Sequence, residues 1–282
     1  MKVLVFGKTG QVATELSRYE NTTCLNRDMA DLSNPLDCAA IIAKADADII
    51  INAAAYTAVD KAEEEKNLAT IINGAAVSEM AKAAAKRKIP FLHISTDYVF
   101  DGSGEQPKHP SDAVAPLGAY GRSKLLGEQG VTAAAGPHAI LRTSWVFSAH
   151  GNNFVKTMLR LGKDHSELSV VNDQIGGPTS ANDIAAALMR IASVFYAGNG
   201  HSGIYHFAGS PTTSWADFAE EIFKQANLSV NVKGIPASEY PTTAKRPNNS
   251  RMDCTDTTTA FGISLPKWRK SLTNVLLELN RL

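Results

Sequence analysis

Through the first half of the chain, short and almost wholly apolar runs alternate with longer stretches whose apolar residues recur at helical spacing. Lys2–Phe6 is the first such run; it stops at Gly7, and Gln11–Tyr19 follows with helical character. A second strand is expected to end near Leu25. Asp48-Ile49-Ile50-Ile51 and Ile89-Pro90-Phe91-Leu92-His93-Ile94 are further strand runs, and the Ala-rich Asn67–Lys88 between them predicts helix. Tyr120–Ala134 reads as another helix and His138-Ala139-Ile140-Leu141 as the strand after it. Strands apolar on both faces, alternating with helices, imply right-handed βαβ units and a parallel sheet covered on both sides. The expected fold class is α/β, a doubly wound parallel sheet.

After about Trp145 the pattern changes. Polar loops lengthen at Ser148–Asn153, Asn172–Ser180 and Pro241–Asp256, while helical spacing persists at Phe154–Gly162, Asn182–Tyr196, Ser214–Gln225 and Trp268–Asn280. The expected division is 1–147 for the doubly wound domain. Residues 148–282 would form mostly a smaller part over the mouth of the sheet, with some elements returning to the main sheet.

Composition narrows the function classes. The 282 residues carry 44% hydrophobic positions, enough for a substantial core, and 28 basic against 28 acidic side chains leave no net charge. A nucleic-acid partner would call for a basic excess. No apolar run approaches the roughly 18 residues of a membrane helix, and the apolar start of the chain is too short for a signal-peptide core. Three scattered cysteines (Cys24, Cys38, Cys254) form neither a disulfide framework nor a zinc pattern. Seven histidines include no i,i+4 pair, so no metal site is expected. Glu63-Glu64-Glu65 reads as a solvated acidic stretch. A cytoplasmic protein follows, in which Asn21-Thr22-Thr23 is a chance glycosylation motif.

Gly7-Lys8-Thr9-Gly10-Gln11-Val12-Ala13 follows the first strand directly and opens the first helix. Glycines there allow a tight turn and let the backbone approach a pyrophosphate at the helix N-terminus, the Rossmann arrangement. Ala13 occupies the third small position. A P-loop would need glycine five residues before Gly7, where Lys2 stands. At the end of the second strand an acidic residue would hold the adenosine ribose; the chain has Asn26-Arg27 instead. The Arg27 fork could meet a 2′-phosphate or lie in solvent, and Asp31-Leu32 could border the adenine.

Ile94-Ser95-Thr96-Asp97-Tyr98-Val99-Phe100 sits at the C-terminal end of a predicted strand, where ligands bind in open α/β sheets. Twenty-four residues after Thr96 comes Tyr120-Gly121-Arg122-Ser123-Lys124, whose spacing puts Tyr120 and Lys124 on one helix face. A nearby ammonium and the positive ring of an oxidised nicotinamide would lower the phenol pKa toward neutrality, roughly 4 kcal/mol of phenolate stabilisation. Tyr120 could then act as general acid toward a carbonyl oxygen while hydride arrives at carbon. Thr96 would bond the same oxygen, and Lys124 would also hold the nicotinamide ribose. Y-x-x-x-K alone is a common surface pair; the glycine turn, the strand-end Ser-Thr and the Tyr-Lys helix together are specific.

With these motifs go Asn52-Ala53-Ala54-Ala55-Tyr56-Thr57-Ala58-Val59-Asp60-Lys61-Ala62-Glu63, Arg142-Thr143-Ser144-Trp145-Val146-Phe147, Gly151-Asn152-Asn153-Phe154, Asn172-Asp173-Gln174 and Arg246-Pro247-Asn248-Asn249-Ser250-Arg251. Over essentially its whole length the chain resembles the extended short-chain dehydrogenase/reductase superfamily and, within it, the dTDP-4-dehydrorhamnose reductase family. The resemblance implies reduction of the C4 ketone of dTDP-4-dehydro-L-rhamnose to dTDP-L-rhamnose, in nucleotide-sugar synthesis for cell-surface polysaccharide. It implies NADPH as cofactor with NADH also usable, a dTDP-4-dehydro-6-deoxy-sugar as substrate, and a monomer or weak homodimer. Thr96, Tyr120 and Lys124 match its catalytic triad. Gly10, Gln11 and Val12 match its pyrophosphate turn, and Ala53, Ala54, Ala55 and Thr57 the stretch beside the cofactor. Thr96, Asp97, Tyr120, Trp145 and Asn153 match positions at the nucleotide-sugar. Two departures are Ala13 for the third glycine and Asn26-Arg27 for the usual acidic residue.

Trp145 could also be core packing. Arg246, or else Arg251, in a polar loop of a neutral protein, is a candidate for the substrate diphosphate, against a solvated loop. Rival activities are another 4-ketoreductase, an epimerase or a dehydratase; the Thr-Asp-Glu that marks the dehydratases is here Thr96-Asp97-Tyr98. A non-catalytic reading resembles the NADP-binding regulatory subunits of methionine adenosyltransferase, against which the retained Thr96, Tyr120 and Lys124 speak.

Overall fold

The computed structural model describes residues 1–280. Strand β1 (Val3–Phe6) runs through the Gly7 turn into helix α1 (Gln11–Leu16), and β2 (Thr22–Leu25), α2 (Pro35–Lys44) and β3 (Ile49–Asn52) follow. Helix α1 is shorter than the Gln11–Tyr19 expected. Within that stretch the Thr14 hydroxyl donates to the Gly10 carbonyl and that of Ser17 to the Thr14 carbonyl, side-chain bonds that compete with helix continuation. The Ala-rich segment is likewise not one helix. Helices α3 (Lys66–Thr70) and α4 (Ala76–Lys86) are joined by a wider π turn over Ile71–Ala75, which turns Asn73 inward to bond Tyr56 backbone and the Ser123 hydroxyl. Then come β4 (Phe91–Thr96), α5 (Ala119–Ala133), β5 (His138–Thr143) and β6 (Val146–Phe147).

The second half contains α6 (Phe154–Asp164), β7 (Glu167–Val171), β8 (Ile175–Gly176), β9 (Thr179–Ser180), α7 (Ala181–Tyr196), β10 (Gly203–His206) and β11 (Thr213–Ser214). It continues with α8 (Trp215–Gln225), β12 (Asn231–Ile235), β13 (Asn249–Ser250), α9 (Thr255–Phe261) and α10 (Trp268–Leu279).

Six parallel strands form the main sheet in the order β10-β5-β4-β3-β1-β2, the doubly wound α/β arrangement the sequence implies. From β1 the chain steps outward to β2 and then crosses to β3 on the other side, so the order reverses at β1. That reversal opens a crevice at the strand C-termini, the place where ligands bind in such sheets. Alternate residues of β1 and β3 face opposite covers. Val3, Val5, Ile49 and Ile51 pack with Leu16, Ile184 and Leu188 on the α1–α7 side. Leu4, Phe6 and Ile50 pack with Ile42, Val77 and Met80 on the α2–α4 side. Two buried faces explain why these strands are apolar throughout. A third core, built on Phe147, Phe218, Trp268 and Leu272, lies in the second half around α6, α8 and α10. Helices α7 and α9 and strand β10 also come from the second half, yet they pack on or within the main sheet. Among the described residues no helix is long and apolar enough to cross a membrane.

Candidate active site

The glycine turn is built for close approach. Gly7 has φ +111°, a backbone that a side chain rarely adopts, and an added Cβ would lie 3.3 Å from the Ala53 carbonyl and the Ala54 nitrogen. The turn therefore lies against Ala53-Ala54 after β3. At Gly10 an added Cβ would meet nothing within 4 Å, so this side of the turn is open. The first N–H groups of α1 have no partner within the helix, and Ala13 is wholly buried beneath them. An open glycine before unpaired N–H groups fits a dinucleotide pyrophosphate.

Gln11 Oε1 accepts from Ser148 Oγ and Asn153 Nδ2, both at 3.0 Å, which pulls the second-half loop onto the turn. The Asn153 amide also donates to the Ser148 and His150 carbonyls, and its Oδ1 caps α6 by accepting the Lys156 N–H. Asn153, expected at the substrate, here serves capping and loop closure with its polar atoms. At the far end of the crevice Asn26 Oδ1 accepts the Met29 N–H, and Arg27, 75% exposed, donates from Nε to Asp31 Oδ2 at 3.3 Å. Leu32 is buried with Leu4, Phe6 and Leu25, so it is core rather than an open rim.

Thr96 ends β4, and its hydroxyl donates to Asp97 Oδ1 at 3.0 Å while accepting the Tyr98 N–H. Tyr120, one residue into α5, meets Tyr98 edge to face at a centroid distance of 5.5 Å. Burial first, and then the Asp97 carboxylate, push the Tyr120 phenol above its ordinary value, with the nearby Thr96 hydroxyl opposing. The lowering expected beside a positive nicotinamide does not arise from the chain alone. The ammonium that was to lower it is engaged elsewhere: Lys124 Nζ donates to the Ile94 carbonyl at 2.7 Å and lies 3.2 Å from His93 Nε2. Burial brings Lys124 itself down to about 8, with Glu128 opposing. A phenol that rests protonated is the form a proton donor needs.

Beyond β4, Ser250 Oγ of β13 donates to Asp97 Oδ2 at 2.5 Å. Arg246 is half-buried on the same crossing segment and reaches back to Asp60 Oδ2 at 2.6 Å and the Tyr98 hydroxyl at 3.2 Å. Arg251 instead bonds Asn249 Oδ1. Trp145 has φ +50°, a left-handed backbone that costs a bulky residue about 1–2 kcal/mol. The conformation lays its ring flat on Trp215, centroids 3.7 Å apart, and over Gly176, where an added Cβ would sit 2.7 Å from the indole.

Several groups of this site were assigned no role from the sequence, although Ser95, Arg142, Asp60 and Ser250 lie within its matching motifs. Glu128, Arg142 and Ser95 form a buried set in which Arg142 donates from Nε and Nη2 to both Glu128 oxygens, at 2.9 and 2.6 Å, and Ser95 donates to Oε1. The clamp seals α5 to β4 and β5. Asp60, Ser250 and Trp215 join the site only by tertiary contact. His93 was a polar residue inside an apolar strand run, and Asn52 ended another and opened one of the matching motifs.

The chain matches the model of the RmlD substrate binding domain family over residues 1–281. It is 42% identical to a dTDP-4-dehydrorhamnose reductase of Shigella flexneri over 293 aligned positions, covering 99% of this chain and 98% of that one. Among solved structures, a dTDP-4-dehydrorhamnose reductase from Clostridium acetobutylicum superposes with a TM-score of 0.92 at 36% identity, covering 100% of both chains. One from Bacillus anthracis, solved in complex with NADP, gives 0.91 at 34% identity over 99% of this chain and 100% of that one.

Proposed function

The chain belongs to the RmlD substrate binding domain family, and on that premise we propose how its residues divide the work. The protein is an NADPH-dependent oxidoreductase of nucleotide-sugar metabolism. It reduces the C4 ketone of dTDP-4-dehydro-L-rhamnose to give dTDP-L-rhamnose. One observation supports the residue roles: Thr96 ends β4 with Tyr120 beside it, and Lys124, one turn further along α5, bonds the Ile94 carbonyl of the same strand.

Gly7, Gly10, Gln11 and Val12 would hold the pyrophosphate, with Asn26, Arg27 and Asp31 at the adenosine end and Ala53, Ala54, Ala55 and Thr57 along the side. When bound, NADPH supplies hydride to C4. Tyr120 holds its proton on the phenol oxygen and releases it to the substrate oxygen as negative charge grows there. The Thr96 hydroxyl, which donates to Asp97 Oδ1 in the free protein, turns its one hydrogen to the same oxygen and steadies it. Lys124 carries positive charge to the phenolate that results and holds the nicotinamide ribose. Trp145, on its Trp215 platform, meets the sugar or base, and Arg246 leaves Asp60 for the diphosphate. Residues 1–147 serve mainly the cofactor and 148–282 mainly the substrate. NADH also serves, less well, and the enzyme works in the cytoplasm as a monomer or weak homodimer.

The test supplies dTDP-4-dehydro-L-rhamnose, made from dTDP-glucose by upstream enzymes, and follows NADPH and NADH oxidation separately with the product identified. Oxidation of NADPH with formation of dTDP-L-rhamnose is expected. No substrate-dependent oxidation with either cofactor would overturn the reading.

A further inference from the structure

The helix that carries Tyr120 begins without a cap of its own. Gly118 stands at the N-cap of α5 and has no side chain to accept from the first helical N–H groups. The acceptor comes from 56 residues earlier: the Ala119 N–H donates to Glu63 Oε1 at 2.6 Å. The carboxylate charge complements the positive end of the helix, and its Oε2 lies 3.8 Å from Arg122 Nη2. Gly118 has an ordinary extended backbone, φ −124° and ψ 173°, so its missing side chain is a matter of space. An added Cβ would lie 2.6 Å from Glu63 Oε1 and would meet no atom within 4 Å except those of Glu63. In the same turn an added Cβ on Gly121 would lie 2.2 Å from the Tyr98 carbonyl oxygen. The start of α5 thus touches Glu63 and the backbone after β4, and Tyr120 stands between these two glycines.

Glu63 is itself held. It ends the 3₁₀ turn Lys61–Glu63, whose Ala62 is wholly buried with Ala69 and Ala119, and Tyr56 and Tyr120 pack on the same cluster. Just before the turn, Asp60 accepts the Ala244 N–H at 3.0 Å and Arg246 Nη2 at 2.6 Å from the crossing segment. Just after it, Glu65 Oε2 accepts the Tyr56 hydroxyl at 2.7 Å. Glu63-Glu64-Glu65 is therefore not the solvated stretch expected: Glu64 is exposed, but Glu63 and Glu65 are half-buried and bonded.

We propose that Glu63 is a positioning residue for the reduction, capping α5 from a neighbouring wall and so fixing where the Tyr120 phenol stands. The proposal rests on the reading of Tyr120 as proton donor. A serine or aspartate at position 118 would cap the helix equally well but would tie it to nothing outside itself. A cap carried by another element sets the place of the helix as well as its start. Tyr120 is the residue after the held N–H, so slack there reaches the phenol directly, and a misplacement of about 1 Å can cost roughly a hundredfold in rate.

The test measures single-turnover reduction of dTDP-4-dehydro-L-rhamnose by NADPH, with melting temperature alongside. Glu63→Ala should lower the rate by roughly tenfold while leaving the affinities for NADPH and substrate nearly unchanged. Glu63→Gln, whose amide oxygen can still accept the Ala119 N–H, should recover most of that loss. Gly118→Ser added to Glu63→Ala supplies a local cap in the space vacated, so the melting temperature should recover while the rate stays low. In Tyr120→Phe there is no phenol proton to place, and adding Glu63→Ala should cost little further, a non-additive pair. Should Glu63→Ala not fold, Glu63→Asp takes its place; it is shorter by one methylene with the charge kept, and a severalfold loss is expected. A wild-type rate in the Glu63 variant, a rate restored by Gly118→Ser, or the same fold loss with Tyr120 and with phenylalanine at that position overturns the proposal. An undiminished rate in Tyr120→Phe alone would instead overturn the proton-donor reading, and the proposal with it.

Discussion

The hydroxyl of Ser250 donates to the carboxylate of Asp97 at 2.5 Å although 153 residues separate them in the chain. This contact closes the second half of the molecule over the end of β4 and keeps Asp97 out of water. Burial pushes Asp97 up to about 6, and the bonds from Ser250 and Thr96 offset only part of it. An acid whose folded pKa is raised binds its proton more tightly in the folded state, so it stabilises below the unfolded pKa and loses that contribution as pH rises through the folded one. The stability of wild type relative to Asp97→Asn should therefore fall between pH ~4 and ~6, by about 1.4 kcal/mol per pH unit at most. Urea unfolding of both proteins across that range measures it; a difference that does not vary with pH would refute the assignment.

Tyr120→Phe removes only the hydroxyl. Proton donation of this kind contributes about 10²–10⁴-fold, so kcat should fall by at least roughly a hundredfold, with cofactor affinity and folding little changed. A variant keeping more than about a tenth of wild-type kcat would exclude Tyr120 as the proton donor.

Lys124→Met should lower kcat and weaken cofactor binding together, since one amine serves the phenol and the ribose. Stability adds a second signature. Because folding depresses this lysine to about 8, the wild type should gain stability relative to the variant as pH rises from 8 toward the ordinary lysine value. Loss of activity with unaltered nucleotide affinity would rule out the double role.

Arg27 donates to Asp31 in the free protein but is largely exposed, so it can turn to a 2′-phosphate at little cost. A charge-assisted bond of this sort contributes about 1.5–3 kcal/mol, and exposure places it near the low end. NADPH should be preferred over NADH by roughly tenfold, and Arg27→Ala should erase most of that by weakening NADPH alone. The ratio of kcat/KM for the two cofactors decides; equal values in the wild type would dismiss Arg27.

Arg142→Met leaves the Glu128 carboxylate buried without its partner. Breaking such a pair from one side costs about 3–5 kcal/mol, and Glu128→Gln added to it should recover part of the loss. A melting temperature unchanged in Arg142→Met would show that the pair does not hold α5 to the sheet.

What could be read ahead of the structure is what local physics encodes. The Ile49–Ile51 run could only be a doubly buried strand, and Tyr120 and Lys124 had to share a helix face. The π turn at Ile71–Ala75 was hidden because alanines suit a regular helix equally well, and its purpose, the Asn73–Ser123 bond, spans 50 residues. The direction of Lys124 was hidden for the same reason: it depends on His93 and the Ile94 carbonyl, on another strand. The capping role of Asn153 was hidden because a cap is invisible until α6 is seen to start there.

Strand β10 has a consequence for how the protein is made. All six residues of β5 are buried, and one of its edges is covered only when Gly203–His206 joins it. From Thr143 to Gly203 the ribosome must add 60 residues, which at about 5–20 residues per second takes roughly 3–12 s. During that interval the nascent chain carries an apolar, unpaired sheet edge of the kind that invites pairing with other chains. The same edge would be permanent in a fragment ending at Phe147, so such a fragment should self-associate when made alone.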